Sequence, residues 1–232
     1  MTMSGRRIRA IARKELRDYR RNRVVVLTMA IFPLVFLIQP LFAIVRATAS
    51  TAGSLREVHL LLYMLAIPVL TPAAVAASAV AGERQQGSLE PILTTPIPRE
   101  EFLLGKGLAA LVPSIAISYL VYAVFIACTL LFAQPGVAPA ILQGPDILAQ
   151  IVFTPLLGLW SIWVGLAIST RSSDIRSAQQ LSLLGSLPVV GLTSLIAFDV
   201  IHPTLELAVG AGAVLLIADV LGWRIVAPMF NR

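Results

Sequence analysis

Long uncharged blocks alternate with short polar ones. Residues 24–45, 58–82, 147–170 and 177–198 run 22 to 25 positions each without Asp, Glu, Lys or Arg. Residues 107–145 run 39, and residues 207–218 run 12 before Asp219 interrupts them. A helix needs about 20 apolar residues to cross the hydrocarbon of a bilayer. The second half of the 39-residue block holds Pro135, Gly136, Pro139, Gly144 and Pro145. These are turn-formers, so the block predicts one helix followed by a loop. The last block reaches spanning length only with Asp219 included. The pattern predicts an all-α membrane protein with six transmembrane helices, at about 24–45, 59–81, 107–131, 148–170, 179–198 and 207–223.

A different period rules residues 5–21. Ile8, Ile11, Ala12, Leu16 and Tyr19 recur at helical spacing on one face. Arg7, Arg9, Arg13, Lys14, Arg17, Arg20 and Arg21 crowd the rest. The spacing predicts an amphipathic interfacial helix on the cytoplasmic membrane surface, drawn to anionic headgroups. The chain thus divides into a cytoplasmic helix over 1–23 and a six-helix domain over 24–232, with a polar connection over 82–106.

Charge fixes the expected orientation. With the N-terminus inside and the spans alternating, 16 of the 18 Lys and Arg fall on the inner side; only Arg46 and Arg56 lie outside. The positive-inside rule predicts this bias and places both termini in the cytoplasm of a cell (plasma or inner) membrane. Only 13% of residues are charged and 57% are hydrophobic, which excludes a soluble domain. The net charge of +6 flanks apolar segments and does not spread over a polar surface, so no nucleic-acid partner is expected. Ala47-Thr48-Ala49 resembles a cleavage site, but the apolar and basic segments before it are too long for a signal peptide.

Catalytic patterns are missing. The only histidines are His59 and His202, with Glu57, Asp199 and Glu206 near them in sequence on the expected outer side. Solvated loop charge explains that group better than a metal site, and there is no H-E-x-x-H and no Cys/His cluster. Residues 82–89 read GERQQGSL, with the glycine spacing of a phosphate loop but no lysine to reach the phosphates. The chain is therefore expected to be no enzyme and to bind no cofactor. Asp219 is the one charge inside a span; with Arg224 it forms the candidate buried polar site, and the two are expected to pair. Ala73, Ala77 and Ala81 form one row of small residues and Ala74, Ser78 and Gly82 another, which marks the second span as a packing helix, within the chain or across a dimer.

The connection after the second span carries the strongest local signal. Ser88 is a candidate N-cap for a short helix over 88–93, with Pro91 in its first turn. Residues 94–98 then break it, and Arg99 restarts a helix into the third span. Leu89, Ile92 and Leu93 on such a piece call for a protein partner or a lipid surface.

This stretch resembles the signature of the ABC type-2 permeases, membrane subunits of ATP-binding-cassette transporters. Glu83, Gly87, Ser88, Leu89, Glu90, Ile92, Leu93, Thr95, Pro96, Arg99, Glu100, Leu103, Gly105 and Lys106 follow the family's loop pattern, while Gln85 replaces the commoner second acid. Lys14-Glu15-Leu16 looks like the family's entry helix, and Ser177-Ala178-Gln179-Gln180 before Pro188 like its fifth-helix entry. The resemblance implies a coupling helix over 88–93, with Glu83, Gly87, Pro96 and Arg99 at an interface with an ATPase. It implies two cytoplasmic ATP-binding subunits, which would hold the ATP and Mg, and a second permease, identical or related. Ile8, Ile11, Arg13, Lys14, Leu16, Arg17 and Tyr19 would form the connecting helix. Export is the commoner direction in the family. The rival readings are an ATP-independent secondary transporter or channel, which calls for paired charges deep in the spans or matching broken helices, and an intramembrane enzyme, which calls for clustered ionisable groups at one depth.

Overall fold

The computed structural model describes residues 4–48, 50, 52–87 and 98–229. Among them there is no strand, and six helices are long and apolar enough to cross a membrane. In chain order the helices are α1 (Gly5–Arg21), α2 (Arg23–Arg46), α3 (Ala52–Glu57), α4 (Leu60–Tyr63), α5 (Ala66–Gln85), α6 (Arg99–Phe132), α7 (Ala138–Ile141), α8 (Gly144–Arg171), α9 (Ile175–Ala197) and α10 (Leu205–Met229). The end that carries α1 and the 85–99 connection is called the basic end, and the opposite one the far end.

Burial separates centre from rim. The hydrophobic window of the second span, α4 and α5 together, is 94% buried, whereas that of α10 is 6% buried. Four helices, α2, α6, α8 and α9, surround α5, while α10 leans mainly on α8. Sequence explains the contrast. The small residues of α5 let backbones approach closely. A Cβ on Gly165 of α8 would lie 2.7 Å from the Ala73 carbonyl and 2.8 Å from the Ala76 methyl. Ala77 and Ala81 pack with Ala178 of α9. On the other row, Gln179 donates to the Ala74 carbonyl (3.3 Å), and Gly82 faces Ile175. Both small-residue rows are therefore used inside the chain.

Helix limits differ from the apolar windows in instructive places. The second span breaks at Met64–Leu65, and two side chains catch carbonyls there. Tyr122 donates to Met64 (3.2 Å), and the Gln150 amide donates to Leu61. Membrane helices tolerate such breaks when neighbours re-satisfy the backbone. α6 starts eight residues ahead of its apolar window, because residues 99–106 fold onto α1 rather than into a loop. The far end is capped by α3 and α7, short helices that lie outside the six expected spans.

Candidate functional site

The basic end gathers charges from three separate parts of the chain. Lys106 lies two turns into α6 and is almost fully buried. Its ammonium donates to Glu83 Oε1 at the end of α5 (2.7 Å) and to Glu15 Oε1 on α1 (3.1 Å). Lys14 adds a second cation, 3.5 Å from Glu15 and 3.9 Å from Glu83. Lys106 also lies 5.0 Å from the centre of the Phe102 ring. A buried ion is costly unless it is paired and hydrogen-bonded, and here one cation satisfies two carboxylates.

A second clamp lies one turn earlier on α6. Arg7 on α1 reaches Glu101 with both Nε (2.5 Å) and Nη2 (2.7 Å), and the Ser4 amide donates to the same carboxylate (2.8 Å). Such forked contacts are the strong form of ion pairing. Glu101 precedes the apolar part of α6. The Arg7 fork, aided by the Ser4 amide, holds its carboxyl well below the usual carboxylate range. Between the two clamps sits Gly105, where an added Cβ would fall 2.6 Å from Ile11 Cγ2. Glycine there lets α1 lie directly against α6.

The same corner ties in α8 and α9. Arg84 donates to the carbonyls of Ser172 (2.6 Å) and Thr170 (2.9 Å), covering the end of α8. The amides of Val80 and Ala81 donate to the Ser169 hydroxyl oxygen (3.0 Å each). Asp174 caps α9 by accepting from the Ser177 amide (2.8 Å), and those bonds lower its carboxyl pKa. Gly87, at φ +68, ends α5 in the left-handed conformation that glycine adopts without strain.

The residues singled out in the sequence fall into three groups. Glu83 enters the charge cluster, Gly87 terminates α5, and Arg99 opens α6 on an exposed turn. Ser88, Leu89, Glu90, Ile92, Leu93 and Pro96 lie outside the described residues. On α1, Tyr19 is buried, Ile8, Ile11 and Leu16 are half-buried, and Arg13, Lys14 and Arg17 are exposed. Part of the stripe read as a lipid-facing surface thus packs on α6. Burial, with the Glu15 and Glu83 charges nearby, pushes the Tyr19 hydroxyl up and keeps it protonated.

One pairing expectation is corrected. Asp219 is buried with no hydrogen-bond partner on either carboxylate oxygen, and Arg224 is exposed. Five residues along a helix turn the side chains about 140° apart, so the two leave different faces. The histidines also separate. His59 Nδ1 meets Asp146 at 2.9 Å, and His202 Nδ1 meets Asp199 at 2.8 Å. Among the described residues no group of three His, Cys, Asp or Glu is placed to hold a metal.

Sequence reasoning quoted Lys106 and Glu15 only as parts of a motif and did not single out Glu101. A usable signal existed for Lys106. It borders a 39-residue uncharged window, and a cation at such an edge needs a counter-charge from another segment. The motif pieces Lys14-Glu15, Glu83 and Lys106 are one constellation in space. A family model described as ABC-2 family transporter protein matches residues 9–212. The chain belongs to the ABC-2 transporter family. It is thus a multi-pass permease component of an ABC transporter, and membership implies an ATP-binding partner subunit. No curated protein matches the chain.

Proposed function

We propose that this ABC-2 permease is an exporter subunit driven by ATP hydrolysis in a separate cytoplasmic ATPase. The basic end faces the cytoplasm, with both termini there, in the plasma or inner membrane. Two permeases, identical or related, act with two ATPase copies, and ATP and Mg belong to those partners. The single observation that carries the reading is the position of Lys106, which joins the end of α5, the start of α6 and α1. In the sequence, residues 88–93 fall in the connection from α5 to α6, and the Lys106 cluster ties those two helices together. A push from an ATPase on that segment then moves α5 and α6 as one body. Since α5 packs on α2, α6, α8 and α9, its motion reaches most of the bundle. ATP drives the change by binding one conformation better than the other.

Affinity purification from native membranes tests the partnership. A soluble chain carrying a phosphate-loop lysine is expected beside this one. Recovery of this chain alone, in detergents that keep complexes together, overturns the reading. Charge reversal at Glu90 or Arg99 tests the lever: the complex should still assemble, and transport should fall while ATPase activity persists.

A further inference from the structure

Consecutive helices α9 and α10 both pack on α8 but scarcely touch each other. Between them, at the far-end half of the bundle, lies a cavity of about 290 Å³. Its walls are stripes at helical spacing. On α8 these are Phe153, Leu157 and Trp160; on α10, Leu207, Ala211 and Ala218. Val189 and Ile196 of α9 form the third side, and Leu62 and Leu65 close the back. The α10 stripe covers eleven residue steps, which is about 16 Å at the rise of an α-helix. A slot that long, walled by α8, α9 and α10, has the shape of one extended hydrocarbon chain.

The walls are almost wholly apolar, so water has no partners there and the space suits hydrocarbon. Small side chains on α10, Ala208 and Ala211 among them, create the width. Pro203 and Thr204 stand at the far-end mouth, beside the exposed His202 and its partner Asp199. Polar groups thus lie at the mouth, and apolar walls lead from it toward Trp160. We propose that this slot holds a single acyl chain of a phospholipid from the far-end leaflet, tail toward Trp160 and headgroup beside the 199–204 loop. The proposal rests on the membrane placement of the chain alone, so it stands or falls separately from ATP coupling.

The test uses the full chain in nanodiscs of a phospholipid with a diazirine near the end of its acyl chain. Photolysis and peptide mass spectrometry should place adducts on Phe153, Leu157 and Trp160 more densely than on Leu120 and Val124, exposed residues of α6 at a similar depth. In Ala211→Phe the slot adducts should fall roughly tenfold, the effect of excluding two methylenes from an apolar site. Adducts on α6 should not change. Gly210→Phe adds the same ring at the neighbouring position, where a Cβ meets nothing within 4 Å, and should leave slot labelling intact. Labelling of the slot at or below the density on α6 means an adventitious lipid contact only and overturns the proposal, with no variant needed. Equal labelling in wild type and Ala211→Phe overturns it too.

Discussion

The two ends of the bundle are held by different physics. At the basic end, charged side chains bridge α1, α5 and α6, and nearly every buried charge has two or more partners. At the far end, two His–Asp pairs, the mostly buried His59–Asp146 and the exposed His202–Asp199, sit among contacts that depend on shape, and a slot remains open between α9 and α10. The first arrangement resists relative motion of its helices, because separating them strands a charge. The second lets α10 shift at the cost of apolar contact alone, which lipid can replace. Under the proposed coupling, the stiff end receives the force and the adaptable end responds.

Removing the central cation is expected to have the largest effect. Lys106→Met keeps most of the buried stem but takes from Glu15 and Glu83 the buried cation they share, with the exposed Lys14 still 3.5 and 3.9 Å away. Breaking a buried pair from one side costs about 3–5 kcal/mol, because the remaining charge stays uncompensated. The loss should appear as a marked drop in Tm in detergent. Neutralising the acids as well, in Lys106→Met with Glu15→Gln and Glu83→Gln, should recover most of it. A triple variant no more stable than the single one would show that charge is not what holds this corner.

The matching change at the far end should cost less. Asp146→Ala breaks a single pair with His59, whereas Lys106→Met strips two carboxylates of the cation they share. The His59 backbone amide still donates to the Ala197 carbonyl (2.8 Å), so the junction of α4 and α9 stays tied. The expected loss is about 1–2 kcal/mol. A Tm drop as large as that of Lys106→Met would erase the difference between the ends.

Much of this architecture is legible in the sequence, for a definable reason. Six apolar windows mark six spanning helices because the bilayer sets one length scale for all of them. The small-residue rows of α5 likewise announce close packing. What the windows miss is polar helix. Hydropathy reports lipid thickness, so it is silent on the break at Met64–Leu65 and on residues 99–106 of α6, where the proline break before Arg99 announces the helix start instead. The charge constellation is hidden for another reason. Glu15 and Lys106 are 91 residues apart, and no periodicity links them. The family motif names its parts without saying that they touch. The apolar slot is invisible too, since its residues are ordinary for any span.

The smallest effect on stability should come from Gly105→Ala, and it sharpens the account of the basic end most. The new Cβ would lie 2.6 Å from Ile11 Cγ2 and 2.7 Å from its Cβ, so a turn of α1 must move. Overpacking a closed core costs about 1–3 kcal/mol, and α1 has an exposed outer face along which to yield, so the lower end of that range applies. Tm is then the wrong readout. The flanking clamps, Arg7–Glu101 and Lys106–Glu15, anchor α1 on both sides of the contact, and displacement there strains both. With Cys128 replaced by Ala, a probe cysteine at Leu16 should react faster with a water-soluble maleimide once Gly105 is Ala. Ile11→Gly in the same chain should restore the slower rate by making room, because an alanine would keep the Cβ that lies 2.7 Å away. Unchanged reactivity would mean that the charge clamps hold α1 without help from the glycine contact, and the stiffness of this end would then be electrostatic alone.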